Sequence, residues 1–163
     1  MNIVADTCSL INMMNGQVFN EILSLNSHRL YIGNLVYDEV TQVPSQKQMI
    51  DDAIQNGDLI LITTDVPVLQ FLSLKDRYHL GDGETESIGH CTNYNYVLSS
   101  DDNKARTCGG KELTSANVVG SLYLLRDAVR QNLVDCNSAM SAYTIMKIKG
   151  GFLPEVDETY LCQ

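Results

Sequence analysis

An α/β sandwich built around a parallel sheet is predicted for this chain by its length, by the shortness of its apolar runs, and by the alternation of strand and helix patterns along it. At 163 residues it is the size of one domain, with room for a core of three layers. The runs Ile3-Val4-Ala5, Leu30-Tyr31-Ile32, Leu59-Ile60-Leu61-Ile62 and Tyr96-Val97-Leu98 do not alternate with polar residues, as expected of strands covered on both faces. Helically spaced stretches lie between them, and that succession argues against separate all-α and all-β parts.

Taken in order, residues 18–25 carry apolar side chains close to a helical stripe. Residues 46–55 place Met49, Ile50, Ala53 and Ile54 on one face, and Gly57 supplies a stop. Residues 66–74 hold Val68, Leu69, Phe71 and Leu72; residues 83–94 are weaker, with Ile88 and Cys91 as their apolar face. Residues 118–129 form the strongest stripe, through Val118, Leu122, Leu125 and Val129. A helix beginning near Asp102 is expected to end at Gly109-Gly110. The segment 147–152 reads as a turn before a short final helix. No repeat or linker interrupts the chain, so residues 1–163 form a single domain.

Charge narrows the function. Eleven Lys and Arg face twenty Asp and Glu, a formal net charge of −9, which excludes a broad basic face as the means of binding nucleic acid. The first residues lack the basic and apolar regions of a signal peptide, and no apolar run approaches the ~20 residues needed to span a bilayer. The five cysteines, Cys8, Cys91, Cys108, Cys136 and Cys162, are odd in number and form no CxxC pair. They predict buried reduced thiols in a cytoplasmic protein, with neither a disulfide framework nor a zinc site.

The acids fall in an informative place. Asp6 closes the first strand, and Asp101 and Asp102 follow the Tyr96–Ser100 run. Ligands of open α/β sheets bind outside the carboxyl ends of strands. Glu39 lies beyond the second strand and Glu84 opens a helix in Leu80-Gly81-Asp82-Gly83-Glu84-Thr85-Glu86. An acid after a strand also serves as a helix N-cap or turn residue, and the spacing leaves both roles open. If the four carboxylates meet, their mutual repulsion demands raised pKa values or a bound cation. Oxygen-only ligands suit Mg²⁺ or Mn²⁺, which can activate water for phosphodiester hydrolysis.

The segments Ile3-Val4-Ala5-Asp6-Thr7-Cys8-Ser9-Leu10-Ile11-Asn12, Val36-Tyr37-Asp38-Glu39-Val40, Leu80–Ile88, Val97–Arg106 and Tyr123–Val129 followed by Leu133-Val134, in that order, resemble a PIN-domain nuclease. The Gly-x-Gly-Glu-x-Glu-x-Ile form resembles a prokaryotic subgroup that includes toxins of the VapC type. The matching core runs from residue 3 to 134, and residues 135–163 form a tail. The resemblance implies a three-layer α/β/α sandwich with a central parallel sheet of about five strands. It implies Asp6, Glu39, Glu84 and Asp101 as catalytic and Mg²⁺- or Mn²⁺-binding acids, with Asp102 as a further metal ligand and Asp82 as an outer candidate. Thr7, Cys8 and Glu86 would support the pocket. Cys8 stands where the pattern usually has Ser, which loses a good hydrogen-bond donor. Lys104 and Arg106 are the candidate contacts to substrate phosphates, and Arg126 and Arg130 share a helical face. Tyr94 and Tyr96 are candidates for stacking on bases. An RNA substrate, a small antitoxin partner, a homodimer and no membrane association complete what the resemblance implies. A phosphate- or nucleotide-binding module of flavodoxin-like or receiver-like architecture, without catalysis, is the alternative; Asp65 imitates a receiver's acid, but no Lys partner follows it.

Overall fold

The computed structural model describes residues 1–163. β1 (Asn2–Ala5) leads into α1 (Thr7–Asn15) and α2 (Phe19–Leu23), and β2 (Arg29–Ile32) into α3 (Asn34–Val40) and α4 (Pro44–Asn56). β3 (Leu59–Leu61) precedes α5 (Val68–Tyr78) and α6 (Asp82–Tyr94). β4 (Val97–Ser99) leads into α7 (Asn103–Leu113), a 3₁₀ turn at Ser115–Asn117, β5 (Val118–Val119) and α8 (Ser121–Arg130). α9 (Cys136–Ile148) and α10 (Glu158–Cys162) close the chain. The strands form one all-parallel sheet in the order β3-β2-β1-β4-β5. This is the predicted α/β sandwich, and its order differs from the 2-1-3-4-5 order of flavodoxin-like sheets.

The unalternated apolar runs are explained by the two faces. Ile3, Ala5, Leu30, Ile32, Val97 and Val119 point into the larger core with α1, α2, α8 and α9. Val4 and Leu98 point the other way, into a smaller core with Ile88, Cys91, Ala105 and Cys108 of α6 and α7. Successive side chains leave a strand on opposite faces, and both faces here are covered. The ladder is tight: Ile3 pairs with Leu30 on one side and Val97 on the other.

Several expectations shift. Val118 and Val119 do not begin a helix but form β5, pairing with Leu98 and Ser99; a two-residue strand is too short to show a period of its own. Gly120 then starts α8. Gly109 and Gly110 lie inside α7 and do not end it. A Cβ at Gly109 would sit 2.7 Å from a Leu98 methyl, so this glycine lets the helix lie close on β4. α1 begins directly after Asp6, which caps it. α9 occupies the supposed tail and is capped by Asp135. α4 starts two residues before the predicted stretch, with Pro44 in its first turn, where a missing N–H costs nothing.

The cysteine expectation is corrected as well. Cys8, Cys91 and Cys108 are free, but Cys136 and Cys162 form a disulfide. Leu161 of α10 is fully buried in the larger core, which brings Cys162 back to the start of α9. A separation of 26 residues carries no sequence signal of that return. No helix is long and apolar enough to cross a membrane.

Closing a loop of this size stabilises the folded chain by about 3 kcal/mol through the entropy of the unfolded state. Cys162→Ser, or the unaltered chain under reductant, should therefore unfold in urea with about that much less stability. An unchanged urea midpoint would show that the bridge does not constrain the chain.

Candidate active site

Between β1 and β4 the chain's winding reverses, and such a switch point opens a crevice at the carboxyl ends of its two strands. Asp6 directly follows β1, and Asp101 lies just beyond β4. The Asp6 N–H donates to the Ser99 carbonyl at 3.0 Å, which extends the β1–β4 ladder to the point where the two acids leave it.

Asp6 is 1% exposed. As the N-cap of α1 its Oδ1 accepts the Ser9 N–H at 2.9 Å and the Cys8 thiol at 3.0 Å. Its Oδ2 is buried without a hydrogen-bond partner. Burial, reinforced slightly by the nearby Asp101 charge, outweighs these bonds and the neighbouring Ser100 hydroxyl, and raises its pKa to about 6. The Cys8 thiol is itself pushed far up, first by burial and then by Asp6. It therefore stays protonated, donating to Asp6 while accepting the Asp101 N–H at 3.3 Å. The sulfur supplies the bridge that the Cys-for-Ser exchange had put in doubt.

Asp101 is also buried but fully satisfied. Its Oδ1 accepts the Ser121 N–H at 2.9 Å, at the start of α8, and its Oδ2 accepts the Asn12 amide at 2.8 Å. Glu39, in the last turn of α3, accepts the Thr7 hydroxyl and the Gly83 N–H at 3.2 Å, in the first turn of α6. The pocket is thus tied together through the first residues of α1. Glycines permit the close approaches: a Cβ at Gly120 would lie 2.5 Å from Asp101 Oδ1, and one at Gly83 2.7 Å from Glu39 Oε2.

The other acids have local duties. Glu84 turns back to accept the Gly81 N–H at 2.9 Å, capping its own helix. Asp102 caps α7 by accepting the Ala105 N–H at 2.8 Å. Glu86 is buried, and burial raises its pKa. It accepts Leu35 N–H at 2.9 Å and Val36 N–H at 3.3 Å, holding the start of the helix whose other end carries Glu39. Asp82 pairs with Lys75 in an exposed ion pair.

The basic candidates are similarly engaged. Lys104 donates to the His79 carbonyl at 2.6 Å. Arg106 Nη1 donates to the carbonyls of Ser100 (2.7 Å) and Val119 (2.6 Å), pinning β4 to β5. Arg126 lies over the rings of Tyr123 and Tyr160, and Arg130 approaches Asp127. Tyr94 and Tyr96 pack together, Tyr96 also against Tyr31. Both precede β4, so they lie toward the opposite edge of the sheet from Asp6 and Asp101. Asn12, Ser121 and Gly120 are the supporting residues that sequence reasoning missed. Each acts on Asp101 from a distant element; Asn12 closes the first matching segment, which implies no role for it, and Gly120 and Ser121 lie outside the matching segments.

Three or more His, Cys, Asp or Glu ligand atoms come within 4.8 Å of one another only at Cys136, Glu158 and Cys162, and two of those sulfurs are spent in the disulfide. The carboxylates around the crevice are less closely gathered. Mg²⁺ keeps several of its waters and takes only one or two carboxylates directly, so this spread is compatible with it. The Asp6 Oδ2, buried with no hydrogen-bond donor on it, is a carboxylate oxygen of the kind that suits a hard divalent cation, and the neighbouring Cys8 sulfur stays a protonated thiol bonded to Asp6 Oδ1.

The family model described as DUF3368, PIN domain, matches residues 2–156, nearly the whole chain. No curated protein and no solved structure matches it.

Two outcomes follow from these contacts. A carboxylate whose pKa is raised on folding favours the protonated folded state, so its contribution to stability is lost as pH climbs from 3.8 to about 6. A shift of roughly two pH units corresponds to at most ~3 kcal/mol. In metal-free buffer at pH 7.5, Asp6→Asn should be about 1–3 kcal/mol more stable to urea than the unaltered chain, and the advantage should vanish below pH 4. Equal stability at pH 7.5 would mean that the buried charge is relieved by other means. Glu86→Ala should lose about 1–3 kcal/mol by stripping buried N–H groups of their acceptor, as urea denaturation would show.

Proposed function

The chain belongs to the PIN-domain family, and from that premise we propose that it is a metal-dependent ribonuclease. The observation that carries this reading is the Asp6 carboxylate, held rigidly at the switch point with one buried oxygen unpartnered. Such an atom costs stability, and on a carboxylate at the ligand-binding edge of the sheet a cation is the partner that would relieve it.

Asp6, Glu39 and Asp101 would hold Mg²⁺ or Mn²⁺, with Glu84 and Asp102 released from their caps to join them. A bound divalent ion supplies a water of lowered pKa and neutralises charge on the phosphate. The chain's own residues do the rest. The Ser121 and Asn12 donors fix the Asp101 oxygens, while Thr7 and Gly83 fix those of Glu39. Cys8 keeps both aspartates in register. Hydrolysis in line with the leaving oxygen would give a 5′-phosphate and a 3′-hydroxyl.

The finer setting is that of a VapC-type toxin in the cytoplasm, restrained by a small antitoxin and working as a homodimer. The exposed Val68, Leu69 and Leu72 of α5 offer an apolar face for the second copy. Growth arrest on expression of the chain alone, relieved by Asp6→Asn, would support that setting; unaffected growth would remove it.

The central test is cleavage of single-stranded RNA. Activity should require Mn²⁺ or Mg²⁺, disappear with EDTA, and fall at least ~100-fold in Asp6→Asn and Glu39→Gln, the scale of losing a principal electrostatic group. Equal cutting by Asp6→Asn would assign the activity to a contaminant.

A further inference from the structure

Beside the carboxylates lies a cavity of about 570 Å³ that has Asp101 in its wall, and its construction is unlike theirs. Tyr123 of α8, Tyr160 of α10 and Phe152 of the segment after α9 supply aromatic surface, while Asn103 and Arg106 lie toward the acids. Phe152 is 88% exposed and Tyr160 37%. A phenyl ring so open to water gains nothing from folding, and an aromatic surface that borders a polar site is the kind that takes a flat ligand.

The cavity is firmly built. The Arg126 guanidinium lies 5.3 Å from the centre of the Tyr123 ring and 4.9 Å from that of Tyr160, bracing the two walls. Cys162, two residues beyond Tyr160, is bonded to Cys136, so the α10 wall is tied to α9. Arg106 spends Nη1 on the sheet carbonyls, and its other two guanidinium nitrogens have no protein partner. The Asn103 side-chain amide has none either, and it can donate and accept at once.

We propose that this cavity is a nucleobase pocket, taking one unpaired base of a single-stranded RNA whose adjoining phosphate lies at the carboxylates. The proposal rests on the ribonuclease reading and extends it to substrate class. Aromatic rings stack on any base face, the Asn103 amide meets the base edge, and Arg106 faces the flanking phosphate as a fixed cation. Continuity through Asp101 is what favours a nucleotide: a base in the cavity and its phosphate at the acids are parts of one molecule. Affinity then comes from stacking, which an acidic chain can supply without a basic face.

The test reads binding apart from cleavage. Fluorescence anisotropy would follow a 5′-labelled adenosine hexaribonucleotide, and versions with one base removed at each position in turn, on the full chain carrying Asp6→Asn. Loss of the base at one position should weaken binding about 5- to 100-fold, the range of one aromatic–base stack. Phe152→Ala, which removes an exposed ring and leaves the core intact, should bind the intact and abasic strands alike; Tyr160→Ala should narrow the same difference. If no position matters, or the difference persists undiminished in Phe152→Ala, the pocket is not a base site. Mn²⁺-dependent cleavage by the unaltered chain without base-dependent binding would overturn the pocket and leave the nuclease. Base-dependent binding by a chain that never cleaves would do the reverse.

Discussion

The arrangement of this protein depends on one interaction repeated around the carboxyl edge of its sheet: a carboxylate held by the first N–H groups of a helix. Helix N-termini present unpaired donors and a positive dipole end, and a carboxylate is the side chain that best meets both. Asp6, Glu84 and Asp102 serve their own helices. Asp101, Glu39 and Glu86 serve helices elsewhere in the chain, at the starts of α8, α6 and α3. The second kind fixes the tertiary structure, because each such bond joins elements far apart in sequence.

This economy explains how so many acids converge near a buried crevice without unfolding the domain. Burying a carboxylate is costly unless hydrogen bonds replace its water. For Asp101 the replacement is complete, with a donor on each oxygen. For Asp6 it stops at Oδ1. The residual penalty is concentrated on one atom at the switch point, the position where a cation would relieve it. The same logic accounts for the basic residues. Lys104 and Arg106 are used to hold backbone carbonyls at the ends of α5, β4 and β5, which leaves little positive surface on a chain of net charge −9.

The C-terminal residues belong to the domain. α9 and α10 complete the larger core through Ala139, Ala142, Met146 and Leu161, and the chain between them passes beside Asp101. Gly151 lies so close to the Asn12 side chain that a Cβ there would come within 2.7 Å of its Oδ1. The residue that steadies Asp101 is therefore packed under the final segment. The segment thereby contributes to the geometry of the acids as well as to the aromatic cavity beside them.

The sequence by itself determined the fold class, since buried strands and helical stripes are local patterns, and it determined which acids stand at strand ends. It also marked Asp6 and Asp102 as residues able to cap helices, because capping is settled within a few positions. Local pattern did not separate Glu84 from Glu86, which only the resemblance ranks. The two lie in one helical turn, and only the packing of α3 against α6 turns Glu86 inward to Leu35 and Val36 while Glu84 folds back on Gly81. Nor could it foresee that Val118 and Val119 extend the sheet, that Cys162 returns to Cys136, or that Asn12 and Ser121 would hold Asp101. Those are contacts between residues distant along the chain. Which partner a donor or a thiol finds is decided by the shape of the assembled core, and local patterns along the chain do not record that shape.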